Sequence, residues 1–320
     1  MSPSVVVVGA GAIGGWIADA LDRAGWRVSL LARGATLARL RSHGLSVERS
    51  GIARQCHPRA GSAAELGVHD FIVLTVKAHN LSKLAPTLLP LIGPASVVMS
   101  GTNGIPWWFF HQFGGPLADQ RLESVDPEGT QDLGFPRERI IGSVVHASVR
   151  VMSAARIEVV AADRMLIGDP RGTRAEPVAE MLAGLEAGGI NAQFSDDIRR
   201  EIWAKLWGNM SMNPLSALTR CGTYKLLHSA DVRELCVRMM EEMQSCGAKL
   251  GLDAGMTPQE RMALTLRLGD FKTSMLADLE AGVPLELAPQ LGAVCEIAGR
   301  LQIAAPFMRA ILGLTRLVDP

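Results

Sequence analysis

The sequence predicts an α/β chain, a layered sheet followed by a mostly helical remainder, and three observations predict it. Short, wholly apolar runs alternate with amphipathic stretches over the first 195 residues. A glycine-rich turn follows the first of those runs, and beyond Ser195 strand signals give way to long helical periods. Wholly apolar strands separated by helices belong to parallel sheets covered on both faces.

Taken in order, residues 5–8 read as a buried strand and 13–24 as a helix, with Ile13, Ile17, Ala20 and Leu21 along one side. Residues 28–32, 71–76 and 97–99 are further strands, with a helix over 81–91 between the last two. Residues 140–152, 157–160 and 165–167 predict strands that extend or flank the sheet, and 177–187 a helix. Helical periods then run over 197–207, 232–250, 258–267 and 285–301, so domains are expected at 1–195 and 196–320. Residues 114–134, rich in Gly, Asp, Pro and Glu, read as irregular. The stretch 107–113 just before them holds five of the chain's fifteen aromatics, and is read as a helix packed on the domain or as a flap beside a ligand or partner.

Composition narrows the function. Thirty-two basic residues balance thirty-two acidic ones, which argues against nucleic acid as a partner. No stretch approaches the roughly 20 apolar residues of a membrane span, and the N-terminus lacks a signal-peptide pattern. The five cysteines are odd in number and form no C-x-x-C pair, so neither a disulfide framework nor a zinc knuckle is expected. The seven histidines form no metal-ligand cluster, and no G-x-S-x-G elbow is present. A cytoplasmic, metal-free protein is expected.

Gly9-Ala10-Gly11-Ala12-Ile13-Gly14 matches G-x-G-x-x-G between a strand and a helix. In that setting Gly9 makes the tight turn, Gly11 lets backbone amides approach a pyrophosphate, and Gly14 lets helix and strand pack closely. Ala12 and Ile13 open the helix whose free N–H groups favour phosphate. The pattern is that of a Rossmann dinucleotide-binding domain. The second strand ends Leu30-Leu31-Ala32-Arg33 without the acid that holds an NAD ribose. Arg33, 19 residues after Gly14, suits a 2′-phosphate, so NADPH is the expected cofactor.

Lys205, Asn209 and Asn213 recur at i, i+4 and i+8, drifting about 40° per step on a helix, and so share one face. Gly208 and Pro214 beside them cost helix stability, which fits amides retained for hydrogen bonding and equally fits a pair of turns. Lys77 and Asn103 follow strands at the carboxyl edge of the sheet, where open α/β folds bind ligands. Ser274 and Glu286 are later polar candidates.

The segments GAGAIGG, LTVKAHN, GTNGIP, WAKLWGNMSMNPLSALT and SMLADLEAGVPLEL resemble the ketopantoate reductase family nearly end to end. The resemblance implies a Rossmann domain, a helical domain that binds substrate and forms a homodimer, and an active site in the cleft between them. It implies NADPH-dependent reduction of 2-dehydropantoate to pantoate, on the route to coenzyme A. By position, Lys205 is similar to the family's catalytic lysine and Glu286 to its carboxylate. Asn103, Asn209, Asn213 and Ser274 resemble its substrate and cofactor ligands, Lys77 the lysine after the fourth strand, and Arg33 the arginine on the 2′-phosphate. Phe271 and Ala288 stand where relatives carry polar or acidic residues, and Thr223 where some carry asparagine. These departures leave a second reading, a reductase of another 2-oxo or keto acid. A third, a non-catalytic NADP-binding sensor, predicts a decayed catalytic set, whereas Lys205, Asn209, Asn213, Ser274 and Glu286 are all present.

Overall fold

The apolar run that opens the chain forms β1 (Ser4–Val8), and its four valines have no exposed surface because the strand is paired on both edges and covered on both faces. A computed structural model describes residues 2–320, which divide into two units: residues 2–102 with Gly129–Ile198, and Asn103–Glu128 with Arg199–Pro320.

In the first unit the strands after β1 are β2 (Arg27–Leu31), β3 (Leu45–Arg49), β4 (Ile52–Cys56), β5 (Arg59–Gly61), β6 (His69–Leu74), β7 (Ile92–Ser100), β8 (Ile140–Ser153), β9 (Arg156–Gly168) and β10 (Ala192–Phe194). The helices are α1 (Ala12–Arg23), α2 (Gly34–His43), α3 (Ala63–Leu66), α4 (Ala78–Leu88), α5 (Thr130–Gly134) and α6 (Glu176–Ala187). The strands form one sheet in the order β4-β3-β9-β8-β7-β6-β1-β2-β5, with β10 beside β9. Pairing is parallel except for β3–β4 and β8–β9. The chain leaves β1 for β2 on one side and returns to β6 on the other. Val8 pairs with both Leu31 and Leu74, so the three strands end level at this switch point.

The α/β sheet is as expected, and the differences have local causes. The hairpin β3–β4 escapes an apolar-run reading because only Leu45, Val47 and Cys56 of its ten residues are buried. It is held to α1 by Arg54, whose guanidinium bonds Asp19 and Asp22 at 2.5 Å each. Residues 157–160 and 165–167 are one strand, β9, since β8 continues opposite the polar stretch between them through shifts of register after His146 and Ser148.

The second unit contains α7 (Ile198–Thr219), α8 (Thr223–His228), α9 (Ala230–Leu250), α10 (Pro258–Arg267), α11 (Ser274–Glu280), α12 (Ala293–Arg300) and α13 (Pro306–Arg316). Pro214 does not end α7. Met210, Leu215, Ser216 and Ala217 around it are all buried, and packing outweighs propensity. The stretch 285–301 is not one helix: a π-helical turn, Ala288–Gly292, precedes α12, closed by the Gly292 N–H donating to the Leu287 carbonyl at 3.0 Å.

The aromatic stretch from Trp107 is neither helix nor flap. It is a chain of turns, with His111 N–H bonded to the Trp108 carbonyl at 2.9 Å, and Trp107, Trp108, Phe109 and Phe110 are buried. The buried Arg199 donates to the carbonyls of Phe109 (2.7 Å) and His111 (2.5 Å) and lies over the rings of Trp108 and Phe113. Glu296 accepts from the N–H groups of Glu123 (2.9 Å) and Ser124 (2.8 Å). These bonds explain why residues 103–128, which precede β8 in the chain, cluster with the helical unit. Among the described residues, no helix is long and apolar enough to cross a membrane, no metal-binding group of side chains occurs, and all five cysteines are free.

Candidate active site

At the end of β1, Gly9 turns the chain at φ +105°, a conformation that disfavours any side chain. Its N–H bonds the Leu31 carbonyl (3.1 Å), and Thr75 Oγ1 donates to the carbonyls of Val8 (3.0 Å) and Gly9 (2.9 Å). A β-carbon on Gly14 would lie 1.9 Å from the Gly9 oxygen, so α1 can cross the turn only with glycine there. Gly11 differs: a β-carbon would meet nothing within 4 Å. Protein packing does not require a glycine at that point, which leaves open space in front of the helix. Gly11 is the N-cap of α1 and supplies no side-chain cap, so the first N–H groups, including those of Ala12 and Ile13, are uncapped. Such a terminus has the donors and the partial positive charge that a pyrophosphate needs.

Arg33 is the exposed N-cap of α2, just past β2, and has no side-chain partner among the described residues. Lys77 follows its strand as expected, although β6 stops at Leu74 and not at Val76, and it is the half-buried N-cap of α4. Both follow strands that end level with β1, so the level ends of β1, β2 and β6 present a glycine turn, an arginine and a lysine on one edge. That set fits a dinucleotide carrying a 2′-phosphate.

In the second unit, Lys205 on α7 donates from Nζ to Asn103 Oδ1 at 2.9 Å. Packing around the ammonium strips water from it and pushes its pKa down to about 8; the charge of Glu286 acts upward and that of Arg261 downward. Glu286 is only 5% exposed and stands at the bend that enters the π turn. The turn ties the surroundings together. Its Pro289 carbonyl accepts from Ile105 N–H at 2.8 Å, beside Gly104, where a β-carbon would lie 2.4 Å from that oxygen. Its Gln290 Oε1 accepts from Asn213 Nδ2 at 3.0 Å, and both amides are buried. The loop bearing Asn103, the helix bearing Lys205 and the segment bearing Glu286 thus share one buried scaffold.

Asn209, one turn from Lys205, is half-buried, with no side-chain bond among the described residues. Ser274 is exposed at the start of α11, its hydroxyl likewise without a bond among the described residues. Phe271 is 40% exposed and Ala288 is exposed. Two residues escape the sequence reading. Gln290 gives no signal, because its partner lies 77 positions away. Arg261 leaves an indirect one in the glycine at 208, which makes room for it.

The chain matches two models of known families: "Ketopantoate reductase PanE/ApbA" over residues 5–172 and its C-terminal counterpart over 197–319. It is 39% identical over 314 residues to a 2-dehydropantoate 2-reductase of Mesorhizobium japonicum, covering 98% of this chain and 96% of that one. A crystal structure of a protein assigned as a ketopantoate reductase from Ralstonia solanacearum MolK2 superposes with a TM-score of 0.95 at 37% identity, over 99% and 98% of the two chains. A ternary structure of D-mandelate dehydrogenase with NADH and anilino(oxo)acetate shares the fold, with a TM-score of 0.84 at 19% identity over 98% and 97%.

Proposed function

The chain belongs to the ketopantoate reductase family, and from that premise we propose that it reduces 2-dehydropantoate to pantoate with NADPH, Lys205 supplying the proton. The observation that carries this reading is the ammonium of Lys205, held by Asn103 at 2.9 Å and with its pKa pushed down to about 8. Near neutral pH such a group is still largely charged but gives up its proton readily, which suits a general acid.

Bound NADPH would supply the hydride, with Gly9, Gly11, Ala12, Ile13 and Gly14 around its pyrophosphate, Arg33 on its 2′-phosphate and Lys77 on the same edge. The ketone oxygen becomes negative as its carbon is reduced. Lys205 stabilises that charge and then protonates it. Asn103 Oδ1 accepts one of the three ammonium protons and so fixes where the others point. Glu286 favours the charged lysine and so favours its reprotonation after each turnover. Asn209 offers a half-buried amide and Ser274 an exposed hydroxyl to the substrate. Asn213 acts through Gln290, as a positioning residue for the π turn, since its amide is already engaged there.

Steady-state oxidation of NADPH, followed by absorbance with 2-dehydropantoate, a panel of other 2-oxo acids and an NADH control, tests the proposal. Turnover with 2-dehydropantoate and NADPH is expected. A different preferred acid would move the substrate and keep the chemistry, an outcome favoured by the exposed Phe271. Cofactor binding without turnover on any acid would favour a sensor instead. A homodimer, the family expectation, is tested by light scattering.

A further inference from the structure

Gly208 sits three residues past Lys205 on α7, where a glycine weakens the helix it interrupts. A β-carbon there would lie 2.3 Å from Nη2, 2.5 Å from Nε and 2.6 Å from Cζ of Arg261. Three guanidinium atoms at nearly equal range mean that the group lies face-on against bare backbone, in a space that only glycine leaves. Arg261 reaches this place from α10, and its one side-chain bond among the described residues is from Nη1 to Thr265 Oγ1, a neutral hydroxyl, at 3.2 Å. No carboxylate pairs with it among the described residues, although burial already disfavours its charge. A desolvated guanidinium without a counter-ion is costly, and it is retained where a ligand completes it.

The neighbourhood defines that ligand. Lys205 and Arg261 are close enough for the arginine to depress the lysine's affinity for protons, and Glu286 offsets one of the two positive charges. The three groups together favour a monoanion. The guanidinium rests on Gly208, three positions past Lys205 on the same helix, and its charge is felt at the ammonium. Two neighbouring cations suit two oxygen functions on adjacent carbons, which is the layout of a 2-oxo acid.

We propose that Arg261 is the substrate-carboxylate residue of this site: seated on Gly208, its guanidinium donates two N–H bonds to the carboxylate of a 2-oxo acid whose keto oxygen faces Lys205. The assignment rests on the reading of the chain as a 2-oxo acid reductase. It makes the ionised carboxylate, more than the rest of the substrate, the feature that is selected.

Arg261→Gln and Arg261→Lys, each checked for unchanged NADPH affinity, would be assayed with 2-dehydropantoate and with its neutral lactone. In Arg261→Gln, kcat/KM for the acid should fall about 100-fold or more, chiefly through KM, while the lactone changes by less than about threefold. Arg261→Lys should recover part of the loss, because it keeps the charge without the fork. Equal losses on acid and lactone, or an unchanged KM for the acid, would overturn the proposal. If the unmutated protein reduces no 2-oxo acid at all, the functional reading fails separately. Calorimetric titration with oxamate then decides the matter: binding weakened about tenfold or more by Arg261→Gln supports a carboxylate site, and oxamate held no better by the unmutated protein than by the variant overturns it.

Discussion

Gly208 trades helix stability for room. Gly208→Ala should leave the protein as stable or up to about 1 kcal/mol more stable in urea unfolding, because alanine favours the helix and the atoms in its way are the far end of a flexible side chain. The same change should raise KM for the acid about tenfold or more, since the guanidinium must leave its seat. A stability loss above about 2 kcal/mol would mark Arg261 as a structural strut. Arg33 is tested through the cofactor. Arg33→Ala should weaken NADPH binding by about 10- to 100-fold and leave NADH binding unchanged, as read by fluorescence titration. Equal effects on both would remove the 2′-phosphate assignment.

Among the elements, the β1–α1 turn holds two glycines with opposite expectations. Gly14→Ala drives a methyl to 1.9 Å from the Gly9 backbone oxygen, so a loss of about 1–3 kcal/mol or more is expected in thermal unfolding. Gly11→Ala meets open space at φ −82°, so the melting temperature should not fall, yet NADPH affinity should. A Gly11→Ala protein that binds NADPH normally would mean the space is not where a pyrophosphate lies. This turn was legible in the sequence because its chemistry is contiguous: strand, glycines and helix follow within 20 residues. The hairpin β3–β4 was not, since its strands are short, half-exposed and fixed by Arg54 on another element. The π turn reads as ordinary helix because Ala288–Gly292 keeps an apolar pattern and only its hydrogen bonding differs. Lys205, Asn209 and Asn213 could be placed on one face by spacing. What Asn213 bonds depends on Gln290, and no local pattern encodes that.

For the molecule as a whole, the glycine turn, Arg33 and Lys77 belong to one unit, and Lys205, Glu286, Arg261 and Asn103 to the other. Cofactor binding and chemistry should therefore separate. Lys205→Met should lose about 100-fold or more in kcat, while NADPH at 100 times its Kd still stabilises the protein by about 2.7 kcal/mol, as it does the unmutated chain. Loss of that stabilisation in the variant would contradict the division. The central claim, that a half-buried lysine is the acid, is tested most directly by the pH dependence of kcat/KM for the reduction, which reports the free protein. Lys205 must be charged to act, and its pKa is lowered to about 8. The rate constant should be level from about pH 6.5 to about pH 8 and then fall about tenfold per unit. Glu286→Gln should move the fall to lower pH, because Glu286 acts to raise the lysine's pKa. A profile that stays level beyond about pH 9.5, or that rises with pH, would contradict the account.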